Sequence, residues 1–584
     1  MKGRWSGGQV MRGLWTCGPV IAALCLLSPA LASRAAATIG VDELRPGMTG
    51  YGLSVFNPGG SIDTFRVELV DVMRGVAPGG DMILARCTGQ GLEHSGIVAG
   101  MSGSPVYFEG RLAGALAYGW GFAKDPIAGI TPIGEMLELL KTGDWQGGTR
   151  PRPGSPRSSA VPDHQSPIPL PLGIAGASPE LVALAGSLLE PFGLMPVAAG
   201  RALPPGQGES APDRFRPGGA VGVLLADGDV RYSAIGTVTW VENDRLLAFG
   251  HPMFQAGAIR LPMSHGVVHA VMPSYASSFK LFSAGPPVGT LVEDRRPAVG
   301  GIIGPVPPML PVRVSLVTAR GREDHHFRIA DFEPLLPYIA GLGIAEIVFA
   351  GEGFYDEATL EARVVITLAG GRTVSLRHVH TGRAPADALA RTVMDRLRLL
   401  VENRFAPVRV ESLDVALELR PGRNRLTLTN VAAARRVVAP GDTIALRLEL
   451  LDDDGRSSFR RMDVDIPATV PPGRLVLTLS SADTFLLRDL GRGAGTEPRD
   501  LDELLRLLER TGDEDVLVIA GYSAAPGLTL GTREMPTPPP TLRRILGHRA
   551  GRVRPLGESR LLLERHPLGA VVAGTHEIPL EVKR

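Results

Sequence analysis

Apolar and polar residues alternate in short runs along much of this chain, and few stretches carry the three-to-four spacing of a helix. Phe65, Val67, Leu69 and Val70 among polar neighbours predict one strand, and residues 82–85 another. The apolar stretch 106–118 is broken by Glu109-Gly110, which predicts a hairpin turning at that pair. Farther on, two apolar strands flank Glu242-Asn-Asp244, the second ending at Gly250-His251. Val312, Val314 and Leu316 alternate with Arg313 and Ser315, and Gly370-Gly371 joins two strands. Ile444, Leu446, Leu448 and Leu450 alternate with polar residues, Asp452 to Gly455 makes a turn, and Met462, Val464 and Ile466 face inward on the next strand.

Helical spacing is confined to four places. Residues 133–142 lie between Pro132 and Gly143. Ser178 caps a helix with Pro179 in its first turn. Leu389, Val393, Leu397, Leu400 and Val401 make a stripe within 386–403. Asp500 and Glu503 form a capping box ahead of Leu504, Leu505 and Leu508, and Gly512 ends that helix.

The pattern predicts a mainly β protein of several units. Gly 73 and Pro 50, with aromatics at 5%, suit many short strands joined by turns. The expected divisions are 38–145; a Pro-rich linker with a short helix, 146–217; a β-rich unit, 218–305; a mixed α/β region, 306–403; an immunoglobulin-like β-sandwich, 405–485; and a small α/β tail, 490–584.

The N-terminus changes the picture from a generic β protein to an exported one. Lys2, Arg4 and Arg12 precede an apolar stretch at 14–27, and Ala30-Leu-Ala32 offers a cleavage site, so residues 1–32 read as a signal peptide. The expected location is periplasmic, cell-envelope or secreted. Cys17 and Cys25 would leave with the signal, and Cys87 alone cannot close an internal disulfide. Residues 338–351 are apolar but short and contain Glu346, so no transmembrane segment is expected after signal removal. A net charge of +1 gives no electrostatic footprint for nucleic acid.

The candidate chemistry begins at Gly-Met-Ser-Gly-Ser-Pro, residues 100–105. Glycines around Ser102 permit backbone conformations that a side chain would forbid, and they let a substrate carbonyl approach the amides of Gly100, Ser102 and Gly103 as an oxyanion hole. The run through 119 resembles the serine loop and following hairpin of chymotrypsin-like peptidases, with Met101 where those carry an acid. His251, at a strand end after Gly250, is the candidate base. Gly-Thr-Val-Thr at 236–239, Gly250-His251 and the 100–105 loop together resemble the SpoIVB-type sporulation serine peptidases. That resemblance, which extends to 289–294 and 300–304, implies a trypsin-like β-barrel peptidase module in permuted order. The serine-loop half at 38–145 precedes the histidine half at 218–305, whereas the family has the histidine first. It implies a serine endopeptidase acting by acyl transfer, without cofactor or metal, on an envelope protein or on the chain itself. The alternative is a catalytically inactive peptidase fold serving as a binding or scaffold module. The family's third triad member, an aspartate, falls at Cys87 here. Asp294 is the first substitute, with Asp244, Asp229 and Glu93 behind it.

Other groups read as structural. His265 and His269 straddle Gly266-Val-Val268, a strand pattern that separates the rings. His325-His326 reads as a solvated turn, and His378-Val-His380, with no acid nearby in sequence, as a surface pair.

Overall fold

A computed structural model describes residues 37–77, 80–143, 145, 166–200, 214–352, 357–493, 498–510, 512–530, 533–547 and 553–583. The expected signal peptide at 1–32 and the stretch 146–165 of the expected linker lie outside them. Strands make up 52% of the described residues and helices 18%, so the class is mainly β, as the alternation predicts.

Six strands come first: β1 (Thr49–Ser54), β2 (Asp63–Ala77), β3 (Gly80–Thr88), β4 (Pro105–Phe108), β5 (Arg111–Gly119) and β6 (Ile127–Pro132). They pair antiparallel in the ring β1-β2-β3-β6-β5-β4, and β4 returns to β1, so the sheet closes into a barrel. Its inward residues, among them Phe65, Val67, Ile83, Met101 and Val106, form one core. The β4–β5 turn falls at Glu109 and Gly110, both with positive φ, as a two-residue hairpin needs. A short helix α1 (Leu92–Ser95) precedes the serine loop, and α2 (Ile133–Thr142) follows β6 with the predicted bounds.

After β7 (Ser166–Pro167) come β8 (Leu170–Ala175), α3 (Pro179–Leu189) and β9 (Leu194–Ala199). Ser178 accepts from the amide of Leu181, the expected cap. Residues 166–200 of the predicted linker are therefore structured: β8 pairs with β9 in parallel and with a strand of the next barrel. That barrel comprises β10 (Ala220–Gly228), β11 (Tyr232–Glu242), β12 (Arg245–Ala248), β13 (Gly257–Met272), β14 (Phe279–Arg295) and β15 (Ala298–Ile303). The ring β10-β13-β14-β15-β12-β11 closes back on β10. Two apolar clusters bridge the barrels. One joins Leu112, Ala115, Ile133, Met136 and Leu139 to Leu247, Val292 and Ala298; the other joins Val55 to Ala220, Ile235, Val268 and Phe282.

The sheet of the second barrel continues into β16 (Met309–Thr318), β17 (Gly321–Ala330), β18 (Ala358–Leu368), β19 (Arg372–Gly382) and β20 (Val410–Pro421), packed under α4 (Leu336–Glu352) and α5 (Pro385–Val401). Strand β20 corrects the predicted boundary at 405, because it pairs with β16 and β18 of the mixed region. The C-terminal sheets share one core, in which Ile444, Leu446, Leu448 and Val464 meet Leu475, Leu477, Ile519, Ile578 and Leu580. Strands assigned to the tail thus complete the second layer. Among the described residues, no helix is long and apolar enough to cross a membrane.

Candidate functional site

Ser102 lies in the loop between α1 and β4, on the first barrel; His251 lies between β12 and β13, on the second. Strand β11 joins them. The amide of Thr237 donates to the carbonyl of Ser102 at 2.8 Å. The Thr237 hydroxyl donates to the carbonyl of Gly100 at 2.9 Å, and that of Thr239 to the carbonyl of Gly103 at 2.7 Å. Gly103 has φ 96, and a Cβ there would lie 2.0 Å from the Thr237 carbonyl oxygen and 2.5 Å from the Phe249 nitrogen. Only glycine fits. From the other side, the Thr131 hydroxyl at the end of β6 donates to the carbonyl of Gly250 at 2.6 Å. Phe249 holds φ 67, a left-handed conformation costing about 1–2 kcal/mol for a residue with a side chain. Its ring occupies the space that a Cβ on Gly236 would take, 2.4 Å from the nearest ring carbon.

This bracing brings Ser102 Oγ to 2.9 Å from His251 Nε2. His251 Nδ1 is 2.8 Å from the carbonyl oxygen of Pro252. A carbonyl only accepts, so Nδ1 carries the proton and Nε2 keeps the lone pair that receives the Ser102 hydroxyl. Burial pushes the His251 imidazole down to about 4, partly opposed by the Pro252 bond, so the ring is a neutral acceptor at physiological pH. Both residues are only 2% exposed.

No protein-family model matches the chain, and no curated protein or solved structure gives a significant match.

Two expected roles are corrected. Asp294 does not orient the imidazole. Its carboxylate accepts the amides of Met253 (2.7 Å), Phe254 (2.8 Å) and Ala256 (3.2 Å), holding the loop that follows His251. Burial raises its pKa despite these bonds. Nor do the other candidates stand behind the ring: Glu93 accepts the Gly89 amide, Asp229 the His326 amide, and Asp244 sits in the β11–β12 turn. The amide of Gly103 leaves the oxyanion set because it donates to the carbonyl of Leu116 at 2.7 Å. The amides of Gly100 and Ser102 have no partner among the described residues and remain available.

Cys87 is buried in the first barrel's core, which pushes its thiol up to about 12 and leaves it unreactive. His265 stacks on Phe215, and His269 bonds Ser283, both on β13 as the strand pattern implies. His325 and His326 lie in β17 rather than in a turn. His378 is no surface residue: it is buried, with Nδ1 2.8 Å from Glu514. The roles of Thr131, Thr237 and Thr239 escape sequence inspection; only the Gly-Thr-Val-Thr run hints at the last two.

Proposed function

We propose that the chain is an exported serine endopeptidase of the SpoIVB type, built on a permuted trypsin-like double barrel. The observation that carries this is the 2.9 Å contact between Ser102 Oγ and His251 Nε2, with Nδ1 occupied by a carbonyl that fixes the tautomer. Two closed six-stranded barrels, one bearing the serine and one the histidine, support it. In this mechanism Ser102 Oγ attacks a peptide carbonyl as His251 Nε2 takes its proton. The amides of Gly100 and Ser102 receive the oxyanion. His251 then protonates the leaving amine, and water deacylates the ester by the reverse path. Loss of the triad aspartate in trypsin-type enzymes costs about 10⁴ in turnover through the wrong tautomer. Here Pro252 supplies the tautomer, and what is missing is an anion to stabilise the imidazolium. The substrate is an envelope protein or the chain itself, and the two C-terminal sheets, as an immunoglobulin-like sandwich, offer a surface for it.

The second reading is an inactive peptidase fold that binds a partner. It is favoured by the 2% exposure of both residues and by the carbonyl in the carboxylate's place. A fluorophosphonate probe separates the two. The enzyme gives covalent labelling that vanishes in Ser102→Ala and slows by at least about 10³-fold in His251→Ala. A folded wild type that stays unlabelled over days supports the binder.

A further inference from the structure

Among the described residues Lys280 is the one fully buried lysine, at the junction of the barrels, and neither the fold nor the acyl-transfer chemistry explains it. It stands on β14 of the second barrel yet lies along the serine loop and the end of β1 of the first. Its amide donates to the carbonyl of Ala99 at 3.1 Å, and the Ala99 amide donates to the carbonyl of Ser278 at 2.7 Å. Its methylenes lie beneath Gly100, where a Cβ would come 3.1 Å from Lys280 Cδ. Its amine reaches Ser54 Oγ at 2.9 Å, at the end of β1, and Ser54 Oγ is 3.1 Å from the hydroxyl of Ser104. The lysine thereby touches the loop before Ser102 and, through Ser54, just after it. Lys280, Ser54 and Ser104 are all wholly buried.

We propose that Lys280 is a positioning residue for Ser102, reaching from the second barrel to hold both ends of the serine loop at once. The consequence for reactivity rests on the serine-peptidase reading; the holding of the loop does not.

Hydrogen-bond inventory assigns the form in which it works. Lys280 Nζ donates to Ser54 Oγ, which also accepts the Ser104 hydroxyl; a neutral amine adds a lone pair to which the Ser54 proton can turn. As an ammonium it offers three donors and no lone pair, and the Ser54 proton is stranded. No carboxylate pairs with Lys280 among the described residues. The elements packed on it supply Ser54 and Phe56 from β1 and the segment after it, Ile235 from β11, and Gly100 and Ser104 from the loop; none is charged. Burial accordingly pushes the amine down to about 7. The imidazole that faces Ser102, His251, lies at about 4 and stays neutral through this range.

The experiment follows fluorophosphonate labelling from pH 6 to 8 together with hydrogen exchange of residues 99–105, in the full-length wild type, Lys280→Met, Lys280→Arg and Ser54→Ala. Labelling of the wild type rises about tenfold across the interval as the amine loses its proton. Lys280→Met labels about 10²-fold more slowly at pH 8 and is flat with pH, and the permanently charged Lys280→Arg does not rescue it. Exchange in 99–105 accelerates about tenfold in Lys280→Met and Ser54→Ala, while β2 and β3 are unchanged. Ser54→Ala keeps the lysine and removes one hydroxyl, so it carries the comparison if Lys280→Met does not fold. An unlabelled wild type with accelerated exchange in the variants sinks the peptidase reading and leaves the loop-holding role standing. Wild-type exchange in both variants, or a Lys280→Met profile that keeps the inflection, overturns the proposal.

Discussion

His251 carries a thermodynamic signature that needs no substrate. Its folded pKa, about 4, lies below the ordinary 6.5, so the unfolded chain binds more protons between those values. Stability contributed by the neutral ring is complete above pH 6.5 and is lost as pH falls to 4, by about 3 kcal/mol. His380, also lowered to about 4, adds a slope of the same sign, so the test is the difference between wild type and His251→Asn in urea melts across that window. Equal slopes in the two proteins would remove the buried-base assignment. Asp294 gives a second test at this scale. Asp294→Ala strands three amides of the loop after His251 and should cost about 3 kcal/mol, with slower labelling as that loop loosens. A loss below about 0.5 kcal/mol would mean the loop holds itself. The contrast between these residues explains what the sequence disclosed of the site. Ser102 and His251 sit at glycine-flanked strand ends, and glycine turns are local signals. Asp294 binds backbone amides some forty positions earlier, and such a bond leaves no periodicity or pairing in the chain.

Strand β11 does for the site what its length and alternation alone do not reveal. Its threonine hydroxyls at 237 and 239 face the first barrel and accept nothing there; they donate to the carbonyls on either side of Ser102. Thr237→Val and Thr239→Val keep the β-branched shape and delete one donor each, leaving a buried carbonyl unpaired. Each should cost about 1–2 kcal/mol, and the pair should slow labelling of Ser102 more than the separate losses multiply to, because the two bonds fix one loop. Strict additivity in the double-mutant cycle would contradict that coupling. The same scale shows which elements could be foreseen. Hairpin turns at Glu109-Gly110 and Gly370-Gly371, and helix α2 with its flanking Pro132 and Gly143, are set by neighbours in sequence. Strands β8 and β20 were hidden because their partners are remote: β8 lies in proline-rich sequence but pairs with β9 and β11, and the alternation in β20 suits any sheet, though its parallel partner β16 lies about a hundred residues earlier.

The site exists only where two closed barrels meet, so its integrity depends on packing between them and not on the covalent path that links them. Leu247 of β12 is fully buried in the apolar cluster joining β5 and α2 to the second barrel, one strand-end away from His251. Leu247→Ala opens a cavity there and should lower stability by about 2–5 kcal/mol. The chain between Trp145 and Ser166, by contrast, is rich in proline, serine and arginine. Beyond it, Tyr118 pairs with Pro167 and the amide of Ile168 donates to Ala117, so the second segment adds its first strand to the first barrel before crossing to its own. A specific protease site inserted between residues 146 and 165, once cut, should therefore leave the two pieces associated through the two bridging clusters and this strand. The nicked protein should elute at the size of the intact chain and label at Ser102 within about twofold of the uncut rate. Because the serine and histidine would then lie on separate polypeptides, retained labelling would show that their order along the chain is immaterial to the chemistry. Dissociation of the pieces under native conditions, or labelling lost on cutting while the complex persists, would show instead that the connecting segment itself holds the barrels in register.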